Sequence, residues 1–490
     1  MIAMKRIWLL LLTGAAGAFS ALVVMLAGCG GSGGPITLPE TGPAPSISAQ
    51  FTALLPAVQR TATFVGSNAC APCHGGRDAL GIHAAWSETT HAQRNVGCEQ
   101  CHGPGSVHVA NPSKENILTG PNATSDIVCG QCHGPTHEQW KNSRHAGVIE
   151  EVIEEGAQVP EIYVRTCFRC HSGAFRALHI DAKLSYGKTA DEVHAAIQAM
   201  TREELLNFVA ESHNSATCVT CHDPHRRTSY LTSAGNQAHL RYATFNTDAT
   251  GIAPGASVAS HTTYNHICAR CHNGRGANPS DAALTTGTAR PNMHNSNQHN
   301  MLLGIGGVEG TGPVVRTGSH TQVPDQCVHC HMPNRRHTFT VSFDISCAPC
   351  HTAADAAARA GATRSEIQNG LLALRTRLER WAQDTFGQPE LWNYTSLITE
   401  AGLSPPPQSQ VPIQIKRARH NYYFVLRDKS FGIHNLFYTR YLLTVANEQL
   451  DALGVSRAPS RANLSPERVK QILQTDLERA KAADMRGHVE

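Results

Sequence analysis

Between residues 70 and 351 one five-residue pattern, Cys-x-x-Cys-His, recurs eight times. In chain order the motifs are Cys70-Ala-Pro-Cys73-His74, Cys98-Glu-Gln-Cys101-His102, Cys129-Gly-Gln-Cys132-His133 and Cys167-Phe-Arg-Cys170-His171. Then come Cys218-Val-Thr-Cys221-His222, Cys268-Ala-Arg-Cys271-His272, Cys327-Val-His-Cys330-His331 and Cys347-Ala-Pro-Cys350-His351. They use sixteen of the 17 cysteines and leave only Cys29 apart, so no pair remains for a conventional disulfide framework.

A single CxxC can begin a zinc site, a redox dithiol or a haem attachment site. Zinc sites normally join one CxxC to a second CxxC or to paired histidines, and do not require a histidine directly after every second cysteine. Covalent haem attachment requires that arrangement: both thiols add to the porphyrin vinyl groups, and the next residue brings its imidazole under the iron as proximal ligand. The repeated motif therefore specifies eight covalent haem c groups. It makes all sixteen motif cysteines cofactor-binding residues, and His74, His102, His133, His171, His222, His272, His331 and His351 proximal iron ligands.

Covalent attachment needs reduced thiols outside the cytoplasm, and the N-terminus reads as an export signal. Lys5 and Arg6 precede an uncharged run from Ile7 to Gly28, which is long enough to span a bilayer. Its end, Leu26-Ala27-Gly28-Cys29, resembles the lipobox of bacterial lipoproteins, in which the cysteine is acylated and becomes the mature N-terminus. Cys29 is accordingly the expected lipidation site. Gly30, where an Asp would resemble the inner-membrane retention signal, directs the expectation to the outer membrane, on its periplasmic or cell-surface face.

The eight motifs share about 280 residues, about 35 per haem, which is too little chain to wrap each cofactor separately. With aromatics at only 6%, the expected core is built largely of stacked haems. The expected fold is mainly α with extensive loop and little β-sheet. Four regions follow: residues 1–29, a lipoprotein signal peptide and lipobox; 30–65, a flexible tether rich in Gly and Pro at its start; 66–351, the octahaem domain; and 352–490, a haem-free helical region packing on the haem core.

Thr189-Ala-Asp-Glu192 and Thr201-Arg-Glu-Glu204 are capping-box starts of two short helices. On the second, Leu205, Val209 and His213 recur every four residues. Ile367, Leu371, Leu374, Leu378 and Trp381 predict a helix, a helical pattern runs from about Lys416 to Leu453, and Ser465-Pro466 opens a last helix. The formal charge of +3 is no sign of nucleic-acid binding, since each ferric bis-histidine haem with two propionates adds a negative charge.

The sequence holds 28 histidines, of which the motifs use eight, so a second ligand for every iron is available. His83-Ala-Ala-Trp86-Ser-Glu-Thr-Thr-His91-Ala92 and His137-Glu-Gln-Trp140-Lys-Asn-Ser-Arg-His145-Ala146 share the pattern HxxWxxxxHA, each following a motif, which marks an internal repeat. The candidate distal ligands are His91, His108, His145, His213, His225, His320, His337 and His434.

Some of these also rest on resemblance. His91 ahead of Cys98-Glu-Gln-Cys-His-Gly-Pro-Gly-Ser-Val-His108 resembles the N-terminal module of multihaem cytochromes similar to the tetrahaem electron acceptors of hydroxylamine oxidation. The resemblance implies distal roles for His91 and His108, with His108 serving a different haem from that of His102. The segment from Ala418 to Asn435, ending Gly432-Ile-His434-Asn435, is similar to the long C-terminal helix region of the cytochrome c nitrite reductase and octahaem hydroxylamine oxidoreductase superfamily. There the histidine of Gly-x-His-Asn ligates a haem, which implies that role for His434. Cys218-Val-Thr-Cys-His-Asp-Pro-His225, and Cys327-Val-His-Cys-His-Met-Pro with His337, also resemble segments of that group. The nitrite-reducing members typically mark the catalytic haem with CxxCK, and this chain has no such motif.

The sequence thus points to an outer-membrane octahaem cytochrome lipoprotein that carries electrons in anaerobic respiratory or extracellular electron transfer. Its expected partners are other cytochromes and extracellular electron acceptors, with the membrane engaged through the lipid. Two alternatives stay open: an oxidoreductase with one haem open to a small nitrogen or sulfur compound, and a homo-oligomer or subunit of a cytochrome filament. No catalytic residue is identified.

Overall fold

Each CxxCH motif closes a turn of helix, because a spacing of three and four residues places the two thiols and the imidazole on one helical face. The backbone N–H of His74 donates to the Cys70 carbonyl at 2.9 Å, His133 to Cys129 at 3.0 Å, His222 to Cys218 at 3.0 Å, His272 to Cys268 at 2.8 Å and His351 to Cys347 at 2.9 Å. Motifs two and seven are short helices in themselves, Cys98–His102 and Cys327–His331. Motif four ends helix α1 (Glu161–His171). The computed structural model describes residues 48–75, 81–150, 161–185, 187–206, 208, 215–235, 237–247, 265–274, 279–285, 296–316, 318–395, 402–457 and 464–486. The lipobox with Cys29, and the candidate ligand His213, lie outside the described residues.

The fold is mainly α with long connections; β pairing among the described residues amounts to two isolated bridges, His222 with Leu240 and Leu231 with Gln237. Around the motifs the apolar clusters are small. Phe51, Leu55, Leu118 and Val128 form one, and Phe168, Phe175, Ile180, Val193, Ile197 and Leu205 belong to another. Both capping boxes form. Thr189 and Glu192 cap α2 (Ala190–Gln198) reciprocally. At the next helix the Thr201 N–H donates to Glu204 at 2.7 Å and the Glu204 N–H to the Thr201 hydroxyl at 3.2 Å.

After the last motif the architecture changes. Helix α3 (Ala353–Phe386) begins at Thr352, whose hydroxyl accepts from the Asp355 N–H, and stops at Gly387, where φ is 74°. Its buried face, Ile367, Leu371, Leu374, Leu378 and Trp381, joins a large apolar core with α4 (Ile413–Asp428), α5 (Leu436–Ala452) and α6 (Pro466–Arg486). Within it the Tyr422 hydroxyl donates to Asp476 at 2.6 Å and Arg375 pairs with the same carboxylate at 2.7 Å, tying α3, α4 and α6.

The helical pattern between Lys416 and Leu453 is two helices rather than one. Lys429, Phe431 and Gly432 adopt φ of 62°, 50° and 92°, which ends α4. A Cβ at Gly432 would approach Thr363 and Ile367 to 3.0 and 3.1 Å, so α3 runs close under the break. Asn435 restarts the chain by accepting the Tyr438 N–H at 3.1 Å, and its amide donates to the Arg316 carbonyl at 2.6 Å. The break leaves His434 in a loop that faces the motif region.

Candidate functional site: paired imidazoles between the motifs

In six places a motif histidine stands opposite a second histidine from elsewhere in the chain. The ring centroids are 6.4 Å apart for His74 and His108, 6.2 Å for His133 and His91, and 5.9 Å for His102 and His225. They are 6.1 Å apart for His272 and His145, and 6.3 Å both for His222 with His337 and for His331 with His434. Such separations lie at the long end of ring-to-ring contact and also match a metal held between two imidazoles. Metal–nitrogen bonds of about 2 Å on each side put the centroids about 6 Å apart. The residues present therefore fit iron with two axial histidines.

Orientation fits as well. A ligating imidazole fixes its tautomer by donating its other N–H to a carbonyl or carboxylate. His102 Nδ1 lies 2.7 Å from the Leu118 carbonyl, His222 Nδ1 2.6 Å from Ala238, His108 Nδ1 2.9 Å from Ser113 and His337 Nδ1 2.9 Å from Arg335. His171 Nδ1 is 3.0 Å from the Val148 carbonyl. The motif-seven histidine follows the same rule, with His331 Nδ1 3.3 Å from the Phe339 carbonyl, whereas carboxylates take this place at its partner His434, where Asp428 stands 2.6 Å from Nδ1, and at motif eight, where Asp355 stands 3.3 Å from His351 Nδ1.

Burial pushes His145, His222 and His225 down to about 4, which keeps these rings in the neutral form that can bind metal. Burial likewise lowers His91, His102, His331 and His337. For His434 burial works in the same direction, but the charge and hydrogen bond of Asp428 outweigh it and leave the ring raised.

The thiols show which motifs are neighbours. None of the sixteen motif cysteines is in a disulfide among the described residues, yet their side chains meet in pairs: Cys70 with Cys98, Cys129 with Cys218, Cys268 with Cys327, and Cys170 with Cys271. The half-buried Cys101 also feels Cys132, and Cys330 feels Cys347. Motifs one, two and three thus follow in space as in sequence, motif five adjoins three, motif seven adjoins both six and eight, and motif four meets six.

The remaining candidates are placed differently. His320 Nδ1 binds the Ile433 carbonyl at 2.7 Å, and neither His320 nor His351 belongs to an imidazole pair of this spacing among the described residues. In the HxxWxxxxHA repeat the second histidines, His91 and His145, face motif histidines, whereas the first diverge. His137 Nε2 lies 2.5 Å from Asp126, and His83 packs beside Trp86 with Nε2 buried and without a hydrogen-bond partner. The tryptophans are buried too, and donate to the carbonyls of Val96 and Ala216 at 3.2 and 2.9 Å. Sequence reasoning passed over His239, which lies 5.6 Å from His91 with Nε2 buried and unpartnered; no pattern around it sets it apart.

The cytochrome c554 and c-prime family matches residues 49–103 and 128–186, a stretch that contains the first four motifs. This chain is a multihaem c-type cytochrome. Haem c is therefore its covalently bound cofactor. Among solved structures the cytochrome is similar to an undecahaem cytochrome from the S-layer of Carboxydothermus ferrireducens, with 21% identity over 74% of this chain and 51% of that one and a TM-score of 0.47. It is also similar to the outer cell wall cytochrome OcwA, with 19% identity over 73% of this chain and 70% of that one and a TM-score of 0.46. The cytochrome spans about half the length of the undecahaem protein. No curated protein matches it.

Proposed function

We propose that the chain is an octahaem electron carrier, lipid-anchored at the outer membrane, that passes electrons between redox proteins and extracellular acceptors. The observation that carries this reading is the set of six facing imidazole pairs. Where both axial positions are filled by protein nitrogen, a substrate can reach iron only by displacing a ligand, and the site is left with electron transfer alone. When bound, haem c supplies one-electron chemistry at iron. The sixteen motif cysteines hold it, and His74, His102, His133, His171, His222, His272, His331 and His351 serve as proximal ligands. His91, His108, His145, His225, His337 and His434 serve as distal ligands, each to the motif histidine it faces, while His213 and His320 complete the set. Backbone carbonyls fix the rings of His102, His108, His222 and His337 through Nδ1, and Asp428 fixes that of His434.

The anchor reading rests on Leu26-Ala27-Gly28-Cys29 and the cationic residues ahead of it. Residues 66–351 form the haem-bearing part, and 352–490 the helices that clamp it. Intact mass and a haemochrome assay test the count, and the oxidised spectrum tests the ligands; fewer than seven haems in matured protein would contradict the octahaem reading. Cys29→Ala should release the protein from membranes with its haem content unchanged. A small-molecule oxidoreductase has support at motif eight, where among the described residues no imidazole faces His351 at the spacing of the six pairs, and the His351 side chain is 36% exposed. A high-spin signal that shifts on adding nitrite or hydroxylamine would favour it.

A further inference from the structure

Motifs four and six differ from the others in one residue. Only Cys167-Phe-Arg169-Cys170 and Cys268-Ala-Arg270-Cys271 carry arginine directly before the second cysteine, and these are the two motifs whose second thiols meet, Cys170 against Cys271. The contact is surrounded by charge. Arg176 Nη1 lies 3.7 Å from Cys271 Sγ and donates to the Arg169 carbonyl at 2.9 Å. Its Nε pairs with Asp181 at 3.2 Å. Arg270 reaches the other oxygen of Asp181, also at 3.2 Å, and lies over the Tyr242 ring at 3.7 Å, while the Tyr242 hydroxyl donates to Asp181 at 2.7 Å. Arg176, Asp181 and Arg270 are 2%, 1% and 3% exposed.

Two guanidinium groups against one carboxylate leave an excess positive charge, out of water, at the edge where two porphyrins are bonded. As a fold staple this is a poor choice, since buried ionic clusters seldom stabilise more than apolar packing would. As an electrostatic device it is well placed. In a low-dielectric interior a nearby positive charge favours the ferrous over the ferric state, because reduction removes one positive charge from the iron.

We propose that Arg176, Asp181, Arg270 and Tyr242 form a potential-setting site at the junction of motifs four and six, which holds the haems bonded there more readily reduced than their neighbours. The proposal rests on haem attachment at both motifs. An electron crossing the junction makes and breaks no bond: one iron passes from Fe(II) to Fe(III) and the other from Fe(III) to Fe(II). Motif six meets four, adjoins seven through Cys268 and Cys327, and lies beside Cys221 of motif five, so the junction is a branch point of the motif chain.

The test is a spectroelectrochemical titration of the purified holoprotein, with intact mass recorded for each variant. Asp181→Asn keeps the shape of the cluster but removes its negative charge. It should shift one or two haems to higher potential, by about tenfold in the reduction equilibrium, which is 59 mV for one electron. Arg176→Met should shift the same haems to lower potential, and Arg176→Lys should restore them. Unchanged curves, or shifts of the same sign in Asp181→Asn and Arg176→Met at full haem mass, would overturn the proposal. Should Arg176→Met fail to mature, Asp181→Asn decides alone. A wild-type mass short of haem at motif four or six would instead bring down the attachment on which the proposal rests.

Discussion

The regions before and after His351 are both helical, but they are held together by different means. In α3 to α6 the apolar side chains meet one another directly, with Leu371, Leu374, Leu378, Tyr422 and Leu442 buried in a single core. Around the motifs the apolar clusters are separate, and what converges between the helical turns is thiol and imidazole. The comparison teaches that the C-terminal helices can fold on side-chain burial alone, whereas the motif region needs its cofactor to fill the interior.

Breaking that comparison calls first for removing the cofactor. A chain with all motif cysteines changed to alanine should lose protection from proteolysis through most of residues 81–350, while a fragment covering α3 to α6 survives. Uniform digestion would show that the two regions do not differ in this way. The next largest effect should come from single ligands: His145→Ala or His337→Ala is expected to convert one low-spin iron to high-spin without changing haem content, as read by electron paramagnetic resonance and mass.

Leu378→Ala, in the apolar core, should instead cost about 2–5 kcal/mol of stability and leave the haem spectrum untouched. A spectral change there would mean that the core positions a haem directly. The smallest effect is expected at the break between α4 and α5, where Asn435→Ala removes a helix cap worth about 0.5–2 kcal/mol. Since Asn435 follows His434 directly, a spectral change on top of the lower melting point would reveal coupling between cap and ligand.

The sequence states the local chemistry of this protein and conceals its long-range pairing. CxxCH spacing implies a helical turn and a haem because the requirement lies within five residues, and the Thr189 and Thr201 capping boxes are legible for the same reason. The break at Lys429 was missed because apolar periodicity continues across it, and two of the three residues with positive φ are not glycine. That His102 would face His225, or His222 face His337, depends on where loops carry residues more than a hundred positions apart, which no local pattern encodes. The Arg176 cluster had one visible trace, the arginine in motifs four and six alone, but its meaning depends on the Cys170–Cys271 contact.

The central claim is that facing histidines close the axial positions of most irons. Quantitative electron paramagnetic resonance of the fully oxidised holoprotein, integrated against its iron content, tests this directly. The account predicts low-spin bis-histidine signals from at least six irons per chain. Fewer than six, with the haem count intact, would contradict it.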